Sequence, residues 1–154
     1  MRRPQQASMN HDVDVPPDRH YDEARHLWAQ HDASTGNVRV GIDAIALESL
    51  GDLAYVALHE VGTAVTRGDT VGSLEAAKMT TTVVAPVSGT VIARNDAAMT
   101  DPSTINQEPY GAGWLVEIAP SNWEQDAADL ISGEAIAPWV VAELERLRAE
   151  DRAS

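Results

Sequence analysis

Lys78 is the chain's one lysine, set against ten arginines, and it stands in Glu75-Ala76-Ala77-Lys78-Met79 between two runs rich in Val, Thr and Gly. A primary amine can be acylated and a guanidinium cannot, because its lone pairs are delocalised. An Arg-biased composition leaves few lysines, and one has to fall somewhere, so the count alone decides nothing. The setting decides more. Val71 to Leu74 and Thr80 to Val84 are strand-like with few residues between them, which puts Lys78 at a tight hairpin tip in solvent. An amine presented that way suits a modifying ligase that must surround it. It also suits a long arm that swings between active sites, because tethering keeps its cargo at high effective concentration.

Other chemistry finds little support. His20, His26, His31 and His59 match no metal-ligand spacing, and no metal is expected. There is no Gly-rich phosphate loop and no nucleophile elbow. With no cysteine, the chain has no disulfide framework, thiol nucleophile or thiolate metal site. No catalytic residue is identified, so the chain is expected to work through an attached group and not as an enzyme by itself.

The elements that must present Lys78 are legible in part. Residues 1–20 are polar, carry Pro4, Pro16 and Pro17, and show no periodicity, so a disordered or loosely docked tail is expected. Val38 to Val40 reads as a short strand. Asp43 is a plausible N-cap for a short helix that Gly51 stops after Leu50. Leu53 to His59 alternates like a strand. From Val61 to Arg94 short strands are punctuated by Gly62, Gly68-Asp69, Gly72 and Pro86-Val87-Ser88-Gly89, the signature of a small β-sandwich or barrel. Arg67-Gly68-Asp69 is read as a turn and not as an adhesion tripeptide. Asn95 to Gly113 is expected to be a long loop and Trp114 to Ile118 a returning strand. Ser121-Asn122-Trp123-Glu124 reads as a capping box opening a helix to about Ile131. A last amphipathic helix is expected from about Pro138 to Glu150, with Val140, Val141, Leu144 and Leu147 as its stripe. The organisation expected is therefore a tail at 1–20, a domain at 21–137 and a C-terminal helix at 138–154.

At 154 residues and 44% hydrophobic content the chain is one domain able to bury a core. No apolar run approaches a membrane span, and Arg2-Arg3 has no hydrophobic segment behind it, so a cytoplasmic protein is expected. A net charge of −13 disfavours nucleic acid and anionic membrane surfaces as partners, and suits basic faces of partner proteins.

Several blocks, in order and over roughly residues 25 to 135, resemble the H protein of the glycine cleavage system, a relative of lipoyl and biotinyl carrier domains. They are Leu50-Gly51-Asp52-Leu53-Ala54-Tyr55-Val56, Glu60-Val61-Gly62-Thr63, Glu75-x-x-Lys78, Pro86-Val87-Ser88-Gly89 and Pro109-Tyr110-Gly111-x-Gly113-Trp114-Leu115. The resemblance implies a mainly β fold with peripheral helices, a barrel-sandwich hybrid of two small antiparallel sheets with C-terminal helices. It also implies lipoate in amide linkage to Lys78, attached by a lipoate ligase or lipoyl transferase. Glu75, Ala77, Met79, His26 and Leu27 are the further residues expected around the cofactor. Biotinyl domains carry Met on both sides of the lysine. Met79 matches on one side and Ala77 does not on the other, so lipoate is favoured over biotin.

The departures from the family pattern concern the cargo. Family members hold a positively charged methylamine group with a Glu in a Ser-His-Glu-Trp motif and an Asp four residues after the lysine. Here the first motif reads Arg25-His26-Leu27-Trp28, and the second position is Thr82. A partly buried ammonium needs carboxylate partners. Leu and Thr in place of both acids, with Arg25 added, disfavour a cationic cargo. The pattern is similar to a specialised branch, the lipoate-binding proteins of the sulfur-oxidising heterodisulfide-reductase-like pathway. The expectation is a monomeric carrier for a sulfur-derived group, partnered by a heterodisulfide-reductase-like redox complex. The alternatives are a glycine cleavage carrier partnered by the glycine cleavage enzymes, a biotinyl carrier, and a non-carrier interaction module.

Overall fold

Strand alternation decides which side chains meet in the core. Along β3 (Val38–Ile42), Val38, Val40 and Ile42 are buried and Arg39 is exposed. Along β6 (Thr70–Ala76), Val71, Leu74 and Ala76 are buried while Thr70 and Glu75 face solvent. Successive side chains point to opposite faces of a strand, so each strand donates one face to a shared interior. The computed structural model describes residues 13–153, and nine strands are present among them.

All strand pairs are antiparallel, and they form two sheets. The larger runs in the order β1 (His20–Asp22), β2 (Leu27–His31), β3, β9 (Val116–Pro120), β8 (Gly89–Arg94), β5 (Ala64–Val65). The smaller is β4 (Leu53–Leu58), β6 and β7 (Thr80–Val84), with β6 in the centre. One hydrophobic core lies between them, built from Val38, Val40, Val71, Leu74, Val83, Val91, Leu115 and Ile118 with Ile105 from a helix. The two-sheet sandwich with peripheral helices is the architecture expected from the sequence.

A second cluster joins Tyr21, Trp28 and Ile136. Trp28 is fully buried, and its Nε1 donates to the Pro109 carbonyl at 3.0 Å. Gly41 pairs with Trp28 across β2 and β3, and a Cβ there would lie inside the indole ring, so only glycine fits. Tyr110 packs against Trp28 at 6.2 Å between centroids, and its hydroxyl accepts from the Ala44 N–H at 2.9 Å. The Pro109-Tyr110-Gly111 block therefore wedges β2 and β3 in place.

Several boundaries differ from the sequence reading. β1 and β2 were absent from it, because short strands flanked by polar residues give little alternation. The stretch expected to be a long loop holds two short helices, α2 (Asp96–Thr100) and α3 (Ser103–Gln107). Asn95 organises it. Its side chain accepts from Ala98 N–H and donates to the carbonyls of Ala112 and Trp114 at 2.8 and 2.7 Å. The capping box is not formed: the Ser121 N–H that Glu124 would have to reach donates to Ser88 O at 2.9 Å. Asn122 caps α4 (Trp123–Ala127) instead, and Ile131 leaves the helix to pair with Tyr21.

The final helix α5 (Ile136–Ala153) begins two residues before Pro138, which is tolerated in a first turn because its N–H would be unpaired anyway. It is docked on the domain through Ile136, Trp139 and Leu144. Residues 13–19 also pack: the Tyr21 hydroxyl donates to Pro16 O at 2.6 Å and Arg19 lies over the Trp28 ring. The rest of the expected tail, residues 1–12, lies outside the described residues. Among the described residues no helix is long and apolar enough to cross a membrane.

Candidate functional site

The β6–β7 hairpin closes between Ala76 and Met79, with the Ala76 N–H donating to the Met79 carbonyl at 2.9 Å. Only Ala77 and Lys78 lie between, and both are exposed. Glu75 pairs with Thr80 across the hairpin and with Tyr55 of β4, and its side chain faces solvent. Met79 is half exposed. Lys78 has no ion pair among the described residues. The tip is a primary amine held out on a rigid two-strand support.

Beside the tip lies a cleft of about 240 Å³. Its floor is apolar, from Leu27, Ile42, Leu50 and Val83, with Met79 at the lip next to the lysine. Thr81 and Thr82 come from β7, and Ala46 and Ser49 from α1 (Ala44–Leu50). Arg25, His26, Arg146 and Leu147 complete the wall. Leu27 is thus both a core residue, paired with Ile42 at the end of β2, and part of the cleft floor.

His26 is the hinge of that wall. It is the one non-glycine residue with a left-handed backbone among the described residues, at φ 61°, a conformation that costs about 1 kcal/mol. The turn from β1 enforces it: Asp22 accepts from the N–H groups of Ala24 and Arg25 through Oδ1 and from His26 N–H through its carbonyl. The imidazole then reaches two carboxylates, Nδ1 to Asp43 Oδ2 at 3.1 Å and Nε2 to Glu143 Oε2 at 2.6 Å. Its ring stacks on Trp139 at 5.7 Å.

Burial opposes a charge on the imidazole, but the bonds to Asp43 and Glu143 outweigh it and raise the His26 pKa. Burial pushes the Asp43 carboxyl up, and the hydrogen bond from Arg146 pulls Glu143 down. The two carboxylates thus favour the protonated ring over what burial alone would allow. Asp43 also does the work expected of an N-cap, its Oδ1 accepting from Ala46 N–H at 2.9 Å.

The sequence reading reached Lys78, Glu75, Ala77, Met79, His26 and Leu27. The fold brings Met79, His26 and Leu27 to the cleft and leaves Glu75 and Ala77 on the open tip. Glu143 and Arg146, and the second use of Asp43, are not reached from the sequence. No local signal joins His26 to residues 17 and 117 positions away.

An exposed amine on a two-residue turn, next to a cleft with an apolar floor, fits a flexible acyl arm. The exposed end is accessible to a modifying enzyme, and the floor can bury a short methylene chain. These features define a carrier domain that presents a tethered group. The profile of the Glycine cleavage H-protein family matches residues 19–143. The chain is 44% identical over 119 residues to the glycine cleavage system H protein of Mycobacterium avium, which covers 77% of this chain and 86% of that protein. It is 44% identical over 115 residues to the probable glycine cleavage system H protein of Pyrococcus horikoshii, covering 75% and 84%. The crystal structure of a glycine cleavage system H protein from Mycobacterium marinum superposes with a TM-score of 0.70 at 41% identity, covering 80% of this chain and 97% of that one. The chain belongs to the glycine cleavage H-protein family. It is an H-protein-like lipoyl carrier, not a catalyst, and the family's cofactor is lipoate in covalent linkage to a lysine.

Proposed function

We propose that lipoate is attached to Lys78 and that the chain shuttles a group bound to that arm between partner enzymes in the cytoplasm. The single observation behind this is the chain's one lysine, exposed at the two-residue tip of β6–β7 beside an apolar-floored cleft. When bound, lipoate supplies the reactive sulfur chemistry. The chain supplies a rigid tip, a floor for the methylenes and a surface for partners. A lipoate ligase or lipoyl transferase must first acylate the amine. Lipoylation with purified ligase, followed by intact mass and a peptide map across Lys78, tests this. A bare lysine after the reaction sinks it.

The names of the relatives favour the glycine cleavage reading, in which the arm carries an aminomethyl group between glycine cleavage enzymes. They favour it over the sulfur pathway that the sequence departures pointed to. A second reading is kept for one observation. Among the described residues no carboxylate side chain lines the cleft, where Leu27 and Thr82 stand at the positions of the family's cargo-holding acids. That lining suits a neutral or anionic group, such as a sulfur-derived one passed to a heterodisulfide-reductase-like complex. Loading of the lipoylated chain by a glycine decarboxylase separates the two. Methylamine loading at a rate typical of an H protein supports glycine cleavage and removes the second reading.

A further inference from the structure

The family match ends at residue 143, yet the cleft wall continues past it: Arg146 and Leu147 of α5 line the cleft. The part of the wall beyond the family match therefore brings a guanidinium to the site. Its position is not left to a mobile surface side chain. Arg146 Nε donates to Glu143 Oε1 at 3.0 Å and Nη2 to Glu143 Oε2 at 2.8 Å, a bidentate grip. Glu143 is itself anchored by His26 at 2.6 Å, and His26 by buried Asp43. The helix under them is docked by Ile136, Trp139 and Leu144.

Arg25 and Arg146 line the cleft, and among the described residues no carboxylate does. Both oxygens of Glu143 are engaged, and Asp43 has one oxygen on Ala46 and the other on His26. Both His26 nitrogens are engaged too. Arg146 uses each terminal nitrogen once, on Glu143 and on Glu150, and an N–H remains on both. Arg25, also on the cleft, has no ion pair among the described residues. An arm folded over Met79 into the cleft would thus meet unused cationic donors and no unused carboxylate. This holds in a chain whose net charge is −13.

We propose that Arg146, with Arg25 beside it, is a specificity determinant that reads the charge at the end of the arm and favours an anionic group over a cationic one when the arm rests in the cleft. The proposal rests on the reading that Lys78 carries the arm, and deepens the second reading of its cargo, the neutral or anionic one, by naming its charge class. Arg146 is half exposed, and exposed ion pairs are worth a fraction of the buried kind. The expected preference is therefore roughly two- to fivefold in docked fraction between end groups differing in charge.

The test attaches lipoate to Lys78, reduces it, and caps the arm thiols with one of three ¹³C-labelled groups of similar size. Iodoacetate gives a carboxymethyl end, iodoacetamide a neutral one and bromoethylamine a cationic one. Nuclear Overhauser effects from the label to the methyls of Leu27 and Val83 report the docked fraction. The expected order is carboxymethyl, then acetamide, then aminoethyl. Arg146→Gln should level it and Arg146→Lys should keep it. Raising the salt should shrink the preference in the unmutated protein, which keeps the test valid should either variant misfold. An aminoethyl end that docks as well as or better than carboxymethyl overturns the proposal. So does an arm that stays outside the cleft in all three forms, or an unchanged order in folded Arg146→Gln. Should ligase leave Lys78 bare, the carrier reading falls. An active ester of lipoate, with the Lys78 product isolated by peptide map, still places the arm, so the charge preference is judged separately.

Discussion

The hairpin tip and the cleft wall are neighbours built on opposite principles. The tip is local: Ala77 and Lys78 sit between two adjacent strands, exposed, with the amine unpaired among the described residues. The wall is non-local: Asp43, His26 and the Glu143–Arg146 pair of α5 come from three separate segments and are joined by successive hydrogen bonds. The difference follows from what each must do. An attachment amine needs access, and any partner would compete with the enzyme that acylates it. A resting site that senses its occupant needs groups fixed in space, and fixing charged groups requires partners on several sides.

The largest expected effect falls on the tip. Lys78→Arg should abolish lipoylation outright, read by intact mass after ligase treatment, while stability stays within about 0.5 kcal/mol because the site is exposed. The wall should behave in the reverse sense, with large effects on stability and none on acylation. Asp43→Ala removes both the N-cap of α1 and the His26 partner. It should cost about 3 kcal/mol by urea denaturation, combining a lost cap with a buried donor left unpaired. Leu144→Ala should cost about 2 kcal/mol or more and speed hydrogen exchange in α5 selectively, since Leu144 is buried where the helix meets the domain.

A pH titration should loosen the wall and leave the tip alone. His26 has a folded pKa raised above its ordinary value near 6.5, so its contribution is fully present below that value and is lost as pH rises through the raised one. Asp43, with its carboxyl pushed up by burial, acts in the same direction. Backbone amide shifts of α5, followed by NMR from about pH 5.5 to about pH 9, should move with His26, and Glu143→Gln should flatten the response. The smallest effect is expected from Glu75→Gln. It should change stability by less than about 0.5 kcal/mol, since the side chain is solvated on β6. Equal ligase rates for Glu75→Gln and the unmutated chain would show that access to the amine alone governs acylation.

The same contrast separates what could be read along the chain from what could not. Lys78 was legible because its hairpin is contiguous: two Val- and Thr-rich runs with a short link define it without reference to the rest of the molecule. The two-sheet class was legible because Gly and Pro punctuation recurs between short apolar runs. The helices in Asn95 to Gly113 were not, since they depend on Asn95 closing that segment through the Ala112 and Trp114 carbonyls. Ser121 and Asn122 offered equivalent capping chemistry, and the fold uses Asn122, whose side chain accepts from Gln125 N–H, while the Ser121 N–H is held by Ser88 O. Glu143 was readable as a partner for Arg146 and invisible as a partner for His26.

By itself the sequence determined that an acylable amine exists at one position, that it lies on a hairpin, and that the chain around it is an antiparallel β fold of this family. These are properties of residue identity and of patterns within a few residues, where φ, ψ and alternation are set by local sterics. Only the tertiary structure decided that α5 returns to the domain, that His26 is held in a left-handed turn between two carboxylates, and that Arg146 reaches the cleft beside Lys78. Those contacts join residues far apart in sequence. The packing of Trp28, Tyr110, Ile136 and Trp139 in one cluster is what brings them together.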